Sequence, residues 1–156
     1  MRLDDLSRYA PVGMKLHMEK TVWGLGLGAS LIYSGIFLVR FADACGELYE
    51  YQGMEQVLIE GARMERFRVL LGNGLAGFAI TALVMLLFSI YHYLYHFQDS
   101  KSIYLMRRLP RRWELHRRCL TLPVAAAVLS LAAAVVMQGF YFGIYLVFTP
   151  KGCLPW

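Results

Sequence analysis

Hydrophobic and polar positions form long blocks along this chain rather than a residue-by-residue alternation. Three apolar runs, at residues 21–41, 68–97 and 119–149, are separated by segments rich in charge. As an α-helix rising 1.5 Å per residue, each run is long enough to cross a hydrocarbon core of about 30 Å. The pattern predicts an all-α integral membrane protein, with three transmembrane helices in a single membrane domain.

The segments outside the apolar runs differ from one another. Residues 1–20 interleave apolar and basic side chains, which predicts either an amphipathic segment on the inner membrane surface or a frayed tail. Residues 42–67 form an outer loop with six acids, and its second half predicts a short amphipathic helix. Residues 98–118 are strongly basic, and residues 150–156 form a short tail.

Composition supports the membrane interpretation. Hydrophobic residues make up 58% of the chain and charged residues 17%, whereas soluble domains have about 45–50% and about 25%. A net charge of +5 could suit nucleic acid, but the basic residues lie in two blocks beside apolar runs. We therefore expect the lipid bilayer as a partner and no nucleic acid.

The distribution of Lys and Arg predicts the orientation. Seven of the 16 basic residues lie in residues 98–118 and four in residues 1–20, while the 42–67 loop is acidic. Basic loops prefer the cytoplasmic side. The chain is thus expected to be a multi-pass protein of the cell membrane, inner or plasma, with a cytoplasmic amino terminus and an outer carboxyl terminus.

A cleaved secretory signal is the alternative for the first run. Ala42-Asp43-Ala44 looks like a small-residue cleavage site, and Cys45 follows it as in a lipoprotein signal. The run is longer than the 7–15 apolar residues usual in a signal peptide, and an acid beside the cysteine is unfavourable there. A membrane span is the better interpretation.

Small residues within the apolar runs predict surfaces where another helix can approach closely. Gly24, Gly28 and Gly35 share one face of the first run, and Gly139 and Gly143 repeat the four-residue spacing in the third. Gly72 belongs to a small, polar-tolerant patch at the start of the second. These six glycines are the predicted helix-packing positions.

Candidate chemistry is sparse. His92 and His96 are four residues apart and could share a metal or haem, but no acid accompanies them, and an aromatic belt at the membrane surface explains the same segment. We expect no catalytic residue, metal or cofactor, and no enzymatic activity. Cys45 and Cys153 are both predicted on the outer side and could form a disulfide bond in an oxidising compartment.

The basic segment contains the most specific pattern, KSIYLMRRLPRRWELHRR at residues 101–118. Pro110 divides it into a short amphipathic turn and an extension of the third helix. In Leu109-Pro110, the following basic residues and Glu114, it resembles the cytoplasmic loop between the second and third spans of type-2 class ABC transporter permeases. The preceding order of inner segment, span, outer loop and span is similar as well.

The resemblance implies a bacterial-type exporter component whose basic loop docks on a separate ATP-binding subunit. The residues expected to dock are Tyr104, Arg107, Arg108, Leu109, Pro110, Arg111, Arg112 and Glu114. Such permeases usually have six spans and this chain has three, so it would be a half-size permease that pairs, or a small accessory subunit. The partners expected are an ATPase and another permease subunit or a second copy. The alternatives are a structural or regulatory membrane protein and, less favoured, a haem- or metal-binding redox protein.

Overall fold

The computed structural model describes residues 17–52, 55–59, 61–98, 114–150 and 152–154. This part of the chain is mostly helical, as predicted, with one small antiparallel sheet in addition. Its elements in chain order are α1 (His17–Ser34), α2 (Ile36–Gly46), β1 (Tyr49–Gln52), β2 (Glu55–Leu58), α3 (Phe67–Leu71), α4 (Ala76–Gln98) and α5 (Glu114–Phe148).

Three long helices form the body of the molecule. Contacts between Glu19 and His92 and between Ser30 and Thr81 show that α4 runs antiparallel to α1. Contacts of Trp23 with Ser130 and of residue 34 with residue 141 show that α5 runs parallel to α1. The start of α1, the end of α4 and the start of α5 therefore lie at the same end of the bundle.

The first apolar run is helical from His17 to Gly46, with one break. Ser34 donates to the Leu31 carbonyl, and the Gly35 N–H bonds the Ile32 carbonyl instead of continuing the i−4 ladder. A Ser-Gly pair is a common site for such a kink. The break separates α1 from α2, so the predicted span of residues 21–41 lies in two helical segments.

The second apolar run does not form the single helix predicted for residues 68–97. It begins with the five-residue α3, turns through Gly72-Asn73-Gly74, and becomes helical again at Ala76. Gly72 has φ of 45°, a left-handed conformation that glycine adopts without strain. The sequence contains an Asn-Gly turn signal here, which apolar composition alone conceals.

The third apolar run lies within one long helix that also includes residues before it. Helix α5 runs from Glu114 for 35 residues to Phe148, whereas the apolar run begins at residue 119. Pro123 lies in the helix interior. It has no N–H to donate to the Cys119 carbonyl one turn earlier.

The predicted outer loop of residues 42–67 contains a β-hairpin where the sequence predicts an amphipathic helix. Strands β1 and β2 pair antiparallel, with Tyr49 opposite Leu58 and Glu50 opposite Val57. Tyr and Val are favoured on pleated strands, and this preference overrides the helical interpretation. The Ile59 N–H donates to the Leu48 carbonyl, which extends the pairing by one step.

The hairpin end of the bundle closes over an aromatic cluster, which we call the outer cap because the sequence predicts this end on the outer side. Phe37 and Phe41 of the first run pack on Tyr141 and Tyr145 of α5. The Phe67 ring makes T-shaped contacts with Phe37 and Tyr145. The Tyr145 hydroxyl donates to the Glu65 carbonyl at 2.9 Å. The buried Met64 N–H donates to the Cys153 carbonyl at 2.7 Å, which ties residues 61–66 to the segment after α5.

Two helical stretches have the length and composition of a membrane span, His17–Gly46 and Cys119–Phe148. Ala76–His92, within α4, is a shorter apolar stretch. The predicted count of three spans thus depends on two stretches long enough to cross a membrane and on one shorter apolar stretch within α4.

Candidate functional site

The predicted docking loop falls largely outside the part of the chain that the structure describes. Tyr104, Arg107, Arg108, Leu109, Pro110, Arg111 and Arg112 lie in residues 99–113, which are not described. Glu114 is the first residue of α5. The docking role of these residues stays a prediction, although the ends of α4 and α5 fix where the loop is attached.

Four of the predicted packing glycines face open space. A Cβ atom added at Gly24, Gly28, Gly139 or Gly143 would have no heavy atom within 4 Å. These positions are therefore not used for contacts among the described helices of this chain. Their use by a helix of another chain stays a prediction.

Gly35 and Gly72 serve the backbone instead. Gly35 stands at the break between α1 and α2, where an added Cβ would meet the Ile32 carbonyl oxygen at 3.0 Å. Gly72 forms the turn before α4, and the Arg40 guanidinium occupies the space that a side chain would need.

Two other glycines make the close contact between α1 and α4. A Cβ at Gly26 would lie 2.8 Å from Thr81 Cγ2, and one at Gly77 would lie 2.9 Å from Ser30 Oγ and 3.1 Å from Ser30 Cα. All three distances are shorter than an ordinary contact, so a larger residue fits at either position only if the neighbouring atoms move. The sequence contains fourteen glycines, and it does not show which of them contact a neighbouring helix.

Hydroxyl groups join the helices across this contact. Ser30 Oγ and Thr81 Oγ1 are 3.2 Å apart and also lie within bonding distance of the Gly26 and Gly77 carbonyls of their own helices. The two hydroxyls have two protons for these three bonds. At any moment, therefore, only two of these three hydrogen bonds can form, so the Ser30–Thr81 bond between the helices competes with the bonds to the Gly26 and Gly77 carbonyls.

Helix α5 is joined to α1 by two further polar contacts. Trp23 Nε1 donates to Ser130 Oγ at 3.1 Å. Ser34 Oγ and the Tyr141 hydroxyl are 2.8 Å apart, and because Ser34 donates to the Leu31 carbonyl, Tyr141 is the donor. Both serines are fully buried. Polar side chains thus provide the specific contacts inside an apolar chain.

A buried acid and imidazole meet near the end of the bundle opposite the outer cap. Glu19 Oε2 of α1 lies 3.5 Å from His92 Nε2 of α4, and the two residues are 7% and 1% exposed. The His92 ring also packs near Phe88 and Tyr91 of its own helix. The sequence interpretation found no acid for His92, because Glu19 precedes the first predicted span by two residues. The structure corrects this point.

The pair does not extend to a larger group of ligands. Among the described residues, no three His, Cys, Asp or Glu side chains cluster closely enough to hold a metal ion. The His96 side chain lies outside what the structure describes, so metal or haem binding by His92 with His96 is not tested.

The cysteines are distributed between the two ends. Cys153 is buried in the outer cap, and Cys45 packs against the same cluster. Cys119 is buried near the start of α5. All three are free thiols in the structure. The predicted disulfide bond between Cys45 and Cys153 therefore stays a prediction about an oxidising compartment.

Comparison with known proteins yields no relative. No protein-family model matches the chain, and neither a curated protein nor a solved structure shows significant similarity to it.

Proposed function

We propose that this chain is a membrane subunit of an ABC-type exporter, a half-size permease or a small accessory subunit. It crosses the cell membrane three times and contacts a cytoplasmic ATPase through residues 98–118. The inner segment and this loop face the cytoplasm, and the outer cap faces the opposite side.

The distribution of buried and exposed side chains is the observation that supports membrane insertion most strongly. The buried residues of α1 are all polar, Glu19, Ser30 and Ser34. Large apolar residues face outward, with Leu25 69% and Ile32 83% exposed. Exposing such an apolar helix surface to water is unfavourable. In lipid, by contrast, apolar side chains gain no free energy by being buried inside the protein.

Helix lengths agree with this placement. The 23 residues of α4 span about 34 Å and the 35 residues of α5 about 52 Å. Both exceed a hydrocarbon core of about 30 Å. The excess length of α5 suits a helix that projects beyond the bilayer at its beginning, where the basic loop enters it.

The proposal of transport depends on the loop and on the need for a partner. The three helices meet in direct side-chain contacts, so a substrate path would lie between this chain and another subunit. Leu109-Pro110 and its arginines resemble the docking segment of type-2 permeases. The loop leaves α4 and enters α5 at the end of the bundle where α1 begins, which is the end predicted to be cytoplasmic.

Neutralising the loop tests the proposal. In the quadruple variant R107Q/R108Q/R111Q/R112Q, a docking loop loses a co-purified ATPase while the topology is kept. A purely topogenic loop gives inverted or misinserted protein instead. The matched control is R63Q/R66Q, which neutralises two exposed arginines of the outer loop. If gently solubilised wild-type protein never retains an ATPase, the proposal is wrong.

A structural or regulatory subunit is the second candidate, favoured by the open glycines. Gly24, Gly28, Gly139 and Gly143 leave close-approach surfaces that the described helices do not use. Replacing Gly28 or Gly143 by leucine would then abolish association with a membrane partner and leave the isolated chain folded. Retained ATPase binding in these variants would favour the exporter, and loss of a different membrane partner would favour the second candidate.

A further inference from the structure

The Glu19–His92 contact brings two ionisable groups together inside a helix bundle. Glu19 Oε2 and His92 Nε2 are 3.5 Å apart, and both side chains are more than nine-tenths buried. Ionisable side chains at such positions of membrane proteins are costly and are characteristic of ion and proton sites. This pair is not needed to explain the proposed docking of the loop.

A second observation marks the same place. Ser89 lies one turn before His92 in α4, is 8% exposed, and its hydroxyl has no hydrogen-bond partner within the described part of the chain. Glu19 Oε2 likewise accepts no hydrogen bond there. By contrast, the buried hydroxyls of Ser30, Ser34, Thr81, Ser130 and Thr149 are all bonded. Among the described residues, the buried side-chain oxygens that lack a hydrogen bond thus belong to Glu19 and to Ser89, one turn from His92.

Proton number determines the charge of this pair. With one proton between them, the carboxyl and the imidazole are neutral in sum, whichever group holds it. A second proton binds to whichever of the two groups is still unprotonated and leaves an imidazolium beside a neutral acid, so the net charge rises from zero to +1. One O–H or N–H bond forms in this step, and the proton comes from water.

We propose that Glu19 and His92 form a reversible proton-binding site of this chain. The site lies at the end of the bundle where the basic loop is attached. Protonation therefore changes the charge of the bundle beside the segment proposed to dock on an ATPase, although proton binding itself does not depend on that function.

Other ionisable groups near the pair are few among the described side chains. On α1 they are His17 and Lys20, both exposed; on α4 Tyr91, also exposed; and on α5 the buried Cys119 thiol. Exposed charges are weakened by solvent and salt. Glu19 and His92 are the buried ionisable side chains described on α1 and α4.

The test uses the full chain in phosphatidylcholine vesicles, with ¹⁵N-labelled histidine for NMR and infrared difference spectra for carboxyl groups, between about pH 5 and about pH 8. The wild type should show reversible changes of the His92 signal and of one carboxyl band. In E19Q the carboxyl change should vanish, and the midpoint of the His92 change should differ from that of the wild type. H17Q removes an exposed imidazole two residues from Glu19 and should leave both signals unchanged.

Two results would overturn the proposal. One is a wild type in which neither group changes protonation in this pH range. The other is an E19Q protein with an unaltered His92 midpoint, which would mean that the groups do not share protons. If E19Q fails to fold, H92Q provides the reciprocal measurement, because the carboxyl band must then shift. Loss of ATPase binding would not affect any of these outcomes.

Discussion

Replacing Gly77 by alanine tests the register between α1 and α4. The new Cβ would lie 2.9 Å from Ser30 Oγ and 3.1 Å from Ser30 Cα. Carbon atoms in contact prefer about 3.5–4.0 Å, so the helices must separate by about 0.4 Å or more at this point. A backbone atom cannot move aside as a flexible side chain can.

The expected loss is about 1–2 kcal/mol of unfolding free energy. Overpacking of this kind costs about 1–3 kcal/mol. Alanine regains up to about 1 kcal/mol through helix propensity, but less at Gly77, the second residue of α4. The measurement is reversible unfolding in mixed micelles, followed by circular dichroism, with the denaturant slope compared between proteins.

Gly28→Ala is the matched control. Gly28 lies in α1, where an added Cβ has no atom within 4 Å. The isolated chain should keep its stability or gain up to about 1 kcal/mol. The additional variant Ser30→Ala removes the nearest atom, so its combination with Gly77→Ala should cost less than the sum of the two. A Gly77→Ala protein as stable as the wild type would refute this register.

Three further predictions concern other contacts of the bundle. Ser130→Ala leaves the Trp23 N–H unpaired and should cost about 0.6–1.7 kcal/mol of unfolding free energy, a loss that Trp23→Phe largely removes in a double-mutant cycle. Tyr145→Phe deletes the hydroxyl that holds residues 61–66 and should speed hydrogen exchange there while leaving α4 protected. Under oxidising conditions Cys45 and Cys153 should form a disulfide bond, seen as two fewer alkylation sites by mass spectrometry. Two alkylated outer thiols in unreduced protein would contradict the last prediction.

The positions of the long helices are readable from the sequence because they depend mainly on composition. Runs of twenty or more apolar residues form helices whichever neighbouring helices they pack against. The helices nevertheless begin and end elsewhere than the apolar runs do. Helix α5, for example, already includes Glu114, five residues before the third apolar run.

Local turn chemistry limits the prediction at two places. Gly72-Asn73-Gly74 interrupts the second apolar run, and β1–β2 replaces the expected amphipathic helix. Both departures have short-range causes, a positive φ at glycine and the strand preference of Tyr and Val. The signals were present in the sequence, but a window of nineteen or more residues averages over them.

Pairing between helices could not be predicted from one sequence. Glu19 meets His92 and Gly77 meets Ser30 only because α1 and α4 have a particular register and rotation. A shift of one turn would bury other small residues with a similar hydrophobic pattern. The candidate proton site therefore appears only when the helices are assembled in three dimensions.

The bond from Met64 to Cys153 has consequences for biosynthesis. Its two residues are 89 positions apart, and ribosomes add about 5–20 residues per second. Cys153 is therefore synthesised about 4–18 s after Met64, and the bond between them cannot form earlier. During that interval the Met64 N–H lacks this partner, and a chain stopped before residue 153 would never form the bond, although the aromatic residues of the outer cap would all be present.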